Sequence, residues 1–165
     1  MSMFKKLLNK KLLKNQKGLT LVELLAVIVI LAIVAAIAIP AIGNIIENSR
    51  YNAVKADAIN VLNAANLYYT DNPGGENVST GTDPIGDTTT QITIDQLKKA
   101  KYLDSGGKLE EGTGVSVAND NPKKITGTVT YSGSKKITFT SASITTINKD
   151  NQKGSSKTAL NPIKD

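Results

Sequence analysis

The sequence predicts an α+β fold: one long N-terminal helix, membrane-spanning in its first half, packed on a small antiparallel β-sheet of three to four strands. Three observations carry this expectation. An apolar run from Leu19 to Ile39 holds a single charge, Glu23. Apolar residues then recur at steps of three and four from Ile42 to Tyr69, the period of a helix with one packed face. Beyond residue 114 the period falls to two, as in Lys124–Tyr131 and Lys136–Thr140, which is the signature of half-buried strands.

The elements follow in chain order. Residues 1–18 carry Lys5, Lys6, Lys10, Lys11, Lys14 and Lys17 and no acid. The chain has 20 basic and 14 acidic residues, so the other 14 basic side chains face 14 acids, and the whole excess of +6 belongs to this leader. A basic N-terminus ahead of an apolar span stays on the cytoplasmic side. A basic amphipathic helix on anionic lipid, with Leu7, Leu8, Leu12 and Leu13 as its stripe, would occupy the same face.

Leu19 to Ile39, at about 1.5 Å per residue, reaches roughly 30 Å, the thickness of a bilayer's hydrocarbon. A secretory signal peptide has a shorter apolar core, about 7–15 residues, so this run is too long for one, although Ala35, Ala36 and Ala38 imitate its cleavage site. A plain single-pass anchor explains everything but Glu23. A carboxylate in a spanning helix costs up to about 2.5–3.5 kcal/mol at the centre, and intramembrane acids are usually functional.

Taken together, Lys17-Gly18 before Leu19-Thr20-Leu21-Val22-Glu23-Leu24-Leu25, then an apolar stretch to Pro40, resembles the type IV pilin and pseudopilin family. The resemblance is detailed over roughly residues 15 to 70. It implies the type IV pilin fold and cleavage of the Gly18–Leu19 bond by a prepilin peptidase acting on the cytoplasmic side. It also implies N-methylation of Leu19 and a role for Glu23 as the carboxylate that pairs with a neighbouring subunit's new amine during assembly. Leucine stands at the first mature position, where the family often has phenylalanine. Pro40, with Gly43 after it, matches the place where the family's helix bends. Its partners would be further copies in a helical homopolymer, the peptidase, an assembly platform protein, indirectly an assembly ATPase, and membrane lipid before assembly.

On this reading residues 1–18 are the removed leader, 19–46 the transmembrane and filament-core half of the helix, and 47–71 its amphipathic half. Asp71-Asn72-Pro73-Gly74-Gly75 ends the helix. Residues 72–114 form an αβ-loop with a short helix near 93–103, N-capped by Thr93 with Gln96 completing a capping box. Residues 115–148 hold the sheet, with Ser132-Gly133-Ser134 as a hairpin turn and Val115–Ala118 and Ser143–Ile147 as flanking strands. A polar tail, 149–165, is expected to lie loosely on the surface.

The sequence has no His and no Cys, so common nucleophile–base pairs, zinc sites and disulfides are not available to it. No enzyme activity, cofactor or metal is expected. Asp83 and Asp87 are read as solvated loop acids rather than calcium ligands. The pairs Lys98-Lys99, Lys123-Lys124 and Lys135-Lys136 are read as solvated surface rather than a nucleic-acid patch, since the head is near neutral and poor in aromatics. Asn77-Val78-Ser79 fits a glycosylation sequon.

Two uses are open to such a subunit. One is a surface filament for adhesion, motility or aggregation; the other is a pseudopilin of a type II secretion or competence DNA-uptake system. Many Gram-negative pilins close a C-terminal loop with a disulfide, so the lack of cysteine points toward a Gram-positive source. No Leu-Pro-x-Thr-Gly sorting signal is present. The localisation implied is a single-pass cell-membrane precursor with a cytoplasmic N-terminus, then an extracellular pilus.

Overall fold

A computed structural model describes residues 20–73 and 91–165. The chain divides into two compact units, residues 1–42 and 43–165. Helix α1 runs from Leu21 to Asp71, with Pro40 inside it. In the first unit its side chains are apolar all round except for Glu23 in the first turn, and none is buried. This is the one helix among the described residues long and apolar enough to cross a membrane.

In the second unit α1 becomes amphipathic. Tyr51, Val54, Ala58, Val61, Leu62, Ala65, Tyr68 and Tyr69 recur at helical spacing and are buried. Each large apolar side chain taken out of water in this way contributes about 1.5–3 kcal/mol. At the C-terminus Asn72 closes the helix, its backbone and side-chain N–H groups both donating to the Tyr68 carbonyl at 2.8 and 2.9 Å.

The buried face of α1 shares a core with a five-stranded sheet in the order β1-β2-β3-β4-β5. The strands are β1 Gln91–Thr93, β2 Thr113–Ala118, β3 Lys124–Ser132, β4 Lys135–Ala142 and β5 Ile163–Lys164. Strands β1 to β4 pair antiparallel, whereas β5 runs parallel to β4, with Phe139 opposite Ile163. The α+β expectation holds, but the sheet is mixed and has five strands rather than three or four antiparallel ones. It also takes in β1 and β5, which lie outside the expected span of 115–148.

On β3 and β4 the inner face carries Ile125, Val129, Tyr131, Ile137 and Phe139, all buried. The β3–β4 hairpin turns through Gly133 and Ser134. Gly133 has φ +55°, the left-handed conformation that a primed two-residue turn requires at its first central position. Gly127 is needed for a different reason. A Cβ there would lie 2.8 Å from the Cα of Val115, where β2 bulges toward β3.

The αβ-connection contains helix α2, Ile94–Lys99, shorter than the expected 93–103. Its capping box is as expected: Gln96 N donates to Thr93 Oγ1, and Thr93 N donates to Gln96 Oε1 at 2.8 Å. A 3-10 turn, Gly107–Glu111, follows.

Two expectations for the C-terminal region need correction. Residues 144–149 form a helix, α3 (Ile144–Lys149), capped by Ser143, and not a flanking strand. Thr145 and Thr146 favour a strand by propensity, but the Ser143 hydroxyl accepts from the Thr146 N–H and starts a helical turn, which buries Ile147. Nor does the tail lie loose. Asp150 accepts hydrogen bonds from Tyr51 Oη at 2.8 Å and Gln152 Nε2 at 2.8 Å, and forms an ion pair with Lys55 at 3.1 Å. Tyr131 Oη donates to the Gly154 carbonyl at 2.7 Å, Ser155 N donates to Asn48 Oδ1 at 2.9 Å, and Ile163 enters the core. The Asp165 side chain accepts from Ser143 Oγ at 2.7 Å and from the Thr146 hydroxyl, and pairs with Lys124 at 3.3 Å.

Tyrosine phenols therefore join helix, sheet and tail in a chain without disulfides. Burial raises the Tyr51 phenol pKa, and its hydrogen bond to Asp150 raises it further. At Asp150 burial disfavours the charge, but hydrogen bonds from Gln152, Tyr51 and Lys55 outweigh it and hold the carboxyl below its ordinary range.

Candidate functional site

Of the residues expected to matter for processing and assembly, Glu23 lies at the N-terminal end of α1. Gly18 and Leu19, the expected cleavage and methylation positions, lie outside the described residues, as does the whole 1–18 leader. Thr20 is the first described residue and stands immediately before the helix; Glu23 is in its first turn.

These two side chains form a reciprocal pair. Thr20 N donates to Glu23 Oε2 at 2.8 Å, and Thr20 Oγ1 donates to the same oxygen at 2.9 Å. Glu23 N donates in return to Thr20 Oγ1 at 3.2 Å. This is a capping box, and it satisfies N–H groups that a helix start otherwise leaves without partners. The negative side chain also sits at the positive end of the helix dipole.

This pairing changes the account of Glu23. From the sequence, its carboxylate appeared as a charge stranded in an apolar segment until a neighbour arrived. In the subunit it already accepts two hydrogen bonds, which offsets part of the cost of placing it there. Both bonds fall on Oε2, and among the described residues Oε1 accepts none. The signal was present in the sequence: Thr20-Leu21-Val22-Glu23 before an apolar run has the spacing Thr-x-x-Glu of a capping box.

Around this polar point everything is apolar. Leu24, Leu25, Ile28, Leu31 and Ile39 are each more than half exposed. Among the described residues, every exposed large hydrophobic side chain except Leu67 lies between Leu21 and Ile46. An apolar surface of that extent marks a segment meant for lipid or a protein partner.

Pro40 and Gly43 both lie within α1, and helix is continuous through both. Pro40 has no N–H, so the Ala36 carbonyl lacks its usual donor four residues on. A Cβ at Gly43 would meet nothing within 4 Å, so no close packing in the subunit demands glycine there.

The other candidates divide. Asn77, Ser79, Asp83 and Asp87 lie outside the described residues. In each lysine pair one member forms an ion pair, Lys98 with Glu110 at 3.0 Å, Lys124 with Asp165 at 3.3 Å and Lys135 with Glu47 at 2.6 Å, and Lys123 donates to Asn119 Oδ1 at 2.7 Å. Lys123 also stands 5.1 Å from the centre of the Tyr69 ring. Burial, with a contribution from Tyr68, raises the Tyr69 phenol to about 12. A cleft of about 640 Å³ lined by Arg50, Asp57, Lys108, Glu111 and Ser132 is open to solvent. Its polar groups are bonded to one another: Arg50 to Ser132, Lys108 N to Asp57 and Lys108 to Glu111. Among the described residues no group of three or more acids could hold a metal ion.

Comparison with known proteins adds one positive finding. Residues 13–39 match the family model of the prokaryotic N-terminal methylation motif. No curated protein and no solved structure gives a match. The matched segment takes in Gly18, Leu19, Thr20, Glu23 and the whole apolar run to Ile39, and in this family such a segment is in general processed by prepilin peptidase and leads to polymerisation. That motif, followed by a long apolar helix on an α+β head, supports a type IV pilin-like prepilin.

Proposed function

We propose that the chain is a structural subunit of a type IV pilus. It is inserted as a single-pass precursor with a cytoplasmic N-terminus, cut between Gly18 and Leu19, N-methylated on Leu19, and polymerised into a surface filament for adhesion, motility or aggregation. The observation that carries the reading is the methylation motif at 13–39, which takes in an apolar helical segment with no buried side chain among the described residues.

The chemistry supports it. Removing residues 1–18 discards six lysines and creates one ammonium, four residues before Glu23. When an incoming subunit packs beside one already in the filament, Oε1 of Glu23, which accepts no bond among the described residues, can accept from a neighbour's amine. A misaligned subunit would leave the ammonium without a partner in apolar surroundings, at a cost of several kcal/mol. The pair therefore sets register more than it adds adhesion. Pro40, with the Ala36 carbonyl it leaves open and the flexible Gly43 after it, is where the helix can bend to fit the filament.

The test is to shear cells, collect fibres and determine the N-terminus of this protein. Fibres beginning at N-methylated Leu19 are the expected result. Processed protein confined to the membrane would indicate a pseudopilin of a secretion or DNA-uptake system. A mature protein still carrying residues 1–18 would defeat both readings.

A further inference from the structure

Arg50 is the only arginine of the chain; every other basic residue is lysine. It borders the open cleft of about 640 Å³ in the head. One wall of that cleft is a side of α1, where Arg50, Ala53 and Asp57 follow at steps of three and four. The 3-10 turn contributes Lys108 and Glu111, and the end of β3 contributes Thr130 and Ser132. The volume lies in the range of small-ligand sites, about 300–1,000 Å³.

The charges around this cleft are not equally occupied. Lys108 holds both acids, its backbone N–H donating to Asp57 at 2.9 Å and its ammonium pairing with Glu111. Asp57 is also pressed against Gly107, where a Cβ would lie 2.3 Å from Asp57 Oδ2, so the 3-10 turn and the helix are locked together on this side. Arg50 has no such engagement. Among the described residues it forms no ion pair, and of its five N–H donors one makes a long bond, 3.4 Å, to Ser132 Oγ. A solvated positive charge needs no more than the lysine used everywhere else in this chain. What arginine adds is a planar fork that grips a carboxylate through two parallel hydrogen bonds.

We propose that the cleft binds an acidic sugar, with the guanidinium of Arg50 on its carboxylate and the neighbouring polar groups on its hydroxyls. Thr130 and Ser132 can each donate and accept. Asp57 and Glu111 each accept on one oxygen among the described residues, and a carboxylate offers about four lone-pair sites, so both can take sugar hydroxyls as donors. Asp57 stands seven residues beyond Arg50, about 10 Å along the helix, which keeps the ligand's charge away from it. Ala53 is the one aliphatic residue in the lining, so the cleft suits a polyhydroxylated ligand carrying a single charge better than an apolar one. The site lies within the head and does not depend on the pilus reading; on a surface filament it would supply an adhesive contact.

The probe is sialyllactose, a trisaccharide with one carboxylate, titrated calorimetrically into the detergent-solubilised full chain. Its methyl ester keeps the hydroxyls and removes the charge, and a blocked tripeptide with one glutamate keeps the charge and removes the hydroxyls. Saturable binding of sialyllactose is expected, with both comparison compounds at least tenfold weaker. Arg50→Lys, which retains the charge and loses the fork, should weaken binding at least fivefold, and Arg50→Gln at least tenfold. Ala53→Phe, which fills the cleft and leaves Arg50 in place, should also weaken it at least tenfold. Lys149→Gln, exposed and outside the cleft, should stay within twofold of the parent. The thermal melt of each variant shows that the head has folded. No binding by the parent, parental affinity in Arg50→Gln or Ala53→Phe, or equal affinity for the methyl ester would each overturn the proposal. A tripeptide bound as tightly as the trisaccharide would overturn the assignment to a sugar. None of these results bears on whether the chain forms fibres, so the pilus reading stands or falls separately.

Discussion

Between Leu21 and Ile42 no side chain of α1 is buried in the subunit, whereas between Gly43 and Asp71 nine are. The backbone is the same helix throughout; what changes is how the side chains are distributed around it. In the first half leucine, isoleucine, valine and alanine occupy every face, so no packing against one partner could cover them all, and only lipid or a ring of neighbours can. In the second half apolar residues keep to one face, which a single small sheet covers. One helix thus carries two contracts, the first with surroundings outside the subunit and the second with its own head. Substitutions in the first half should affect assembly and leave the folded head alone; those in the second should do the reverse.

The sharpest break of this contrast is Glu23→Ala. Fibres should fall at least tenfold, while membrane insertion, leader removal and the thermal melt of the detergent-solubilised chain stay unchanged. Normal fibres from this variant would remove Glu23 from assembly. Next comes a matched pair in one helix. Leu62 is fully buried, so Leu62→Ala should destabilise the head by about 2–5 kcal/mol. Leu31 is 60 % exposed, and Leu31→Ala should leave the melt of the head unmoved. Equal effects at the two positions would erase the distinction between the halves.

Asp150→Asn tests the tail. Losing a charged acceptor shared by Tyr51, Lys55 and Gln152 should cost about 1.5–3 kcal/mol and expose residues beyond 150 to protease. The pH dependence has a definite sign. Asp150 and Asp165 are both held below their ordinary pKa, Asp165 by hydrogen bonds from Thr146 and Ser143 above all. Their contribution is complete above the unfolded carboxyl range, near pH 4, and is lost as pH falls through the folded values. The parent head should therefore melt at lower temperature below about pH 4, and Asp150→Asn should flatten that slope. The smallest effect is expected from Thr93→Ala, which removes one side of the α2 capping box and should cost about 1 kcal/mol, read from the same melt.

The mixed character of the sheet shows where sequence reasoning stops. Ile163-Lys164 is too short and too polar in its surroundings to read as a strand; it pairs because α3 and the Tyr51–Asp150 and Tyr131–Gly154 bonds bring the tail back along β4. Ser143–Ile147 reads as a strand by composition, yet a local side-chain cap and a buried Ile147 make it helical. The Thr93 box was legible because its residues are three apart and bond to one another, and the Thr20 box could have been read in the same way. The Lys55–Asp150 pair could not, since its members stand 95 positions apart.

By itself the sequence determined the long helix, its apolar first half, the motif at its start, the β3–β4 hairpin and the Thr93 cap, because each depends on spacings within a turn or two of chain. Only the tertiary structure decided the five-strand mixed sheet, the clasped tail and the cleft beside Arg50. Those depend on which distant groups meet, as every charge in the second half of α1 does with the head.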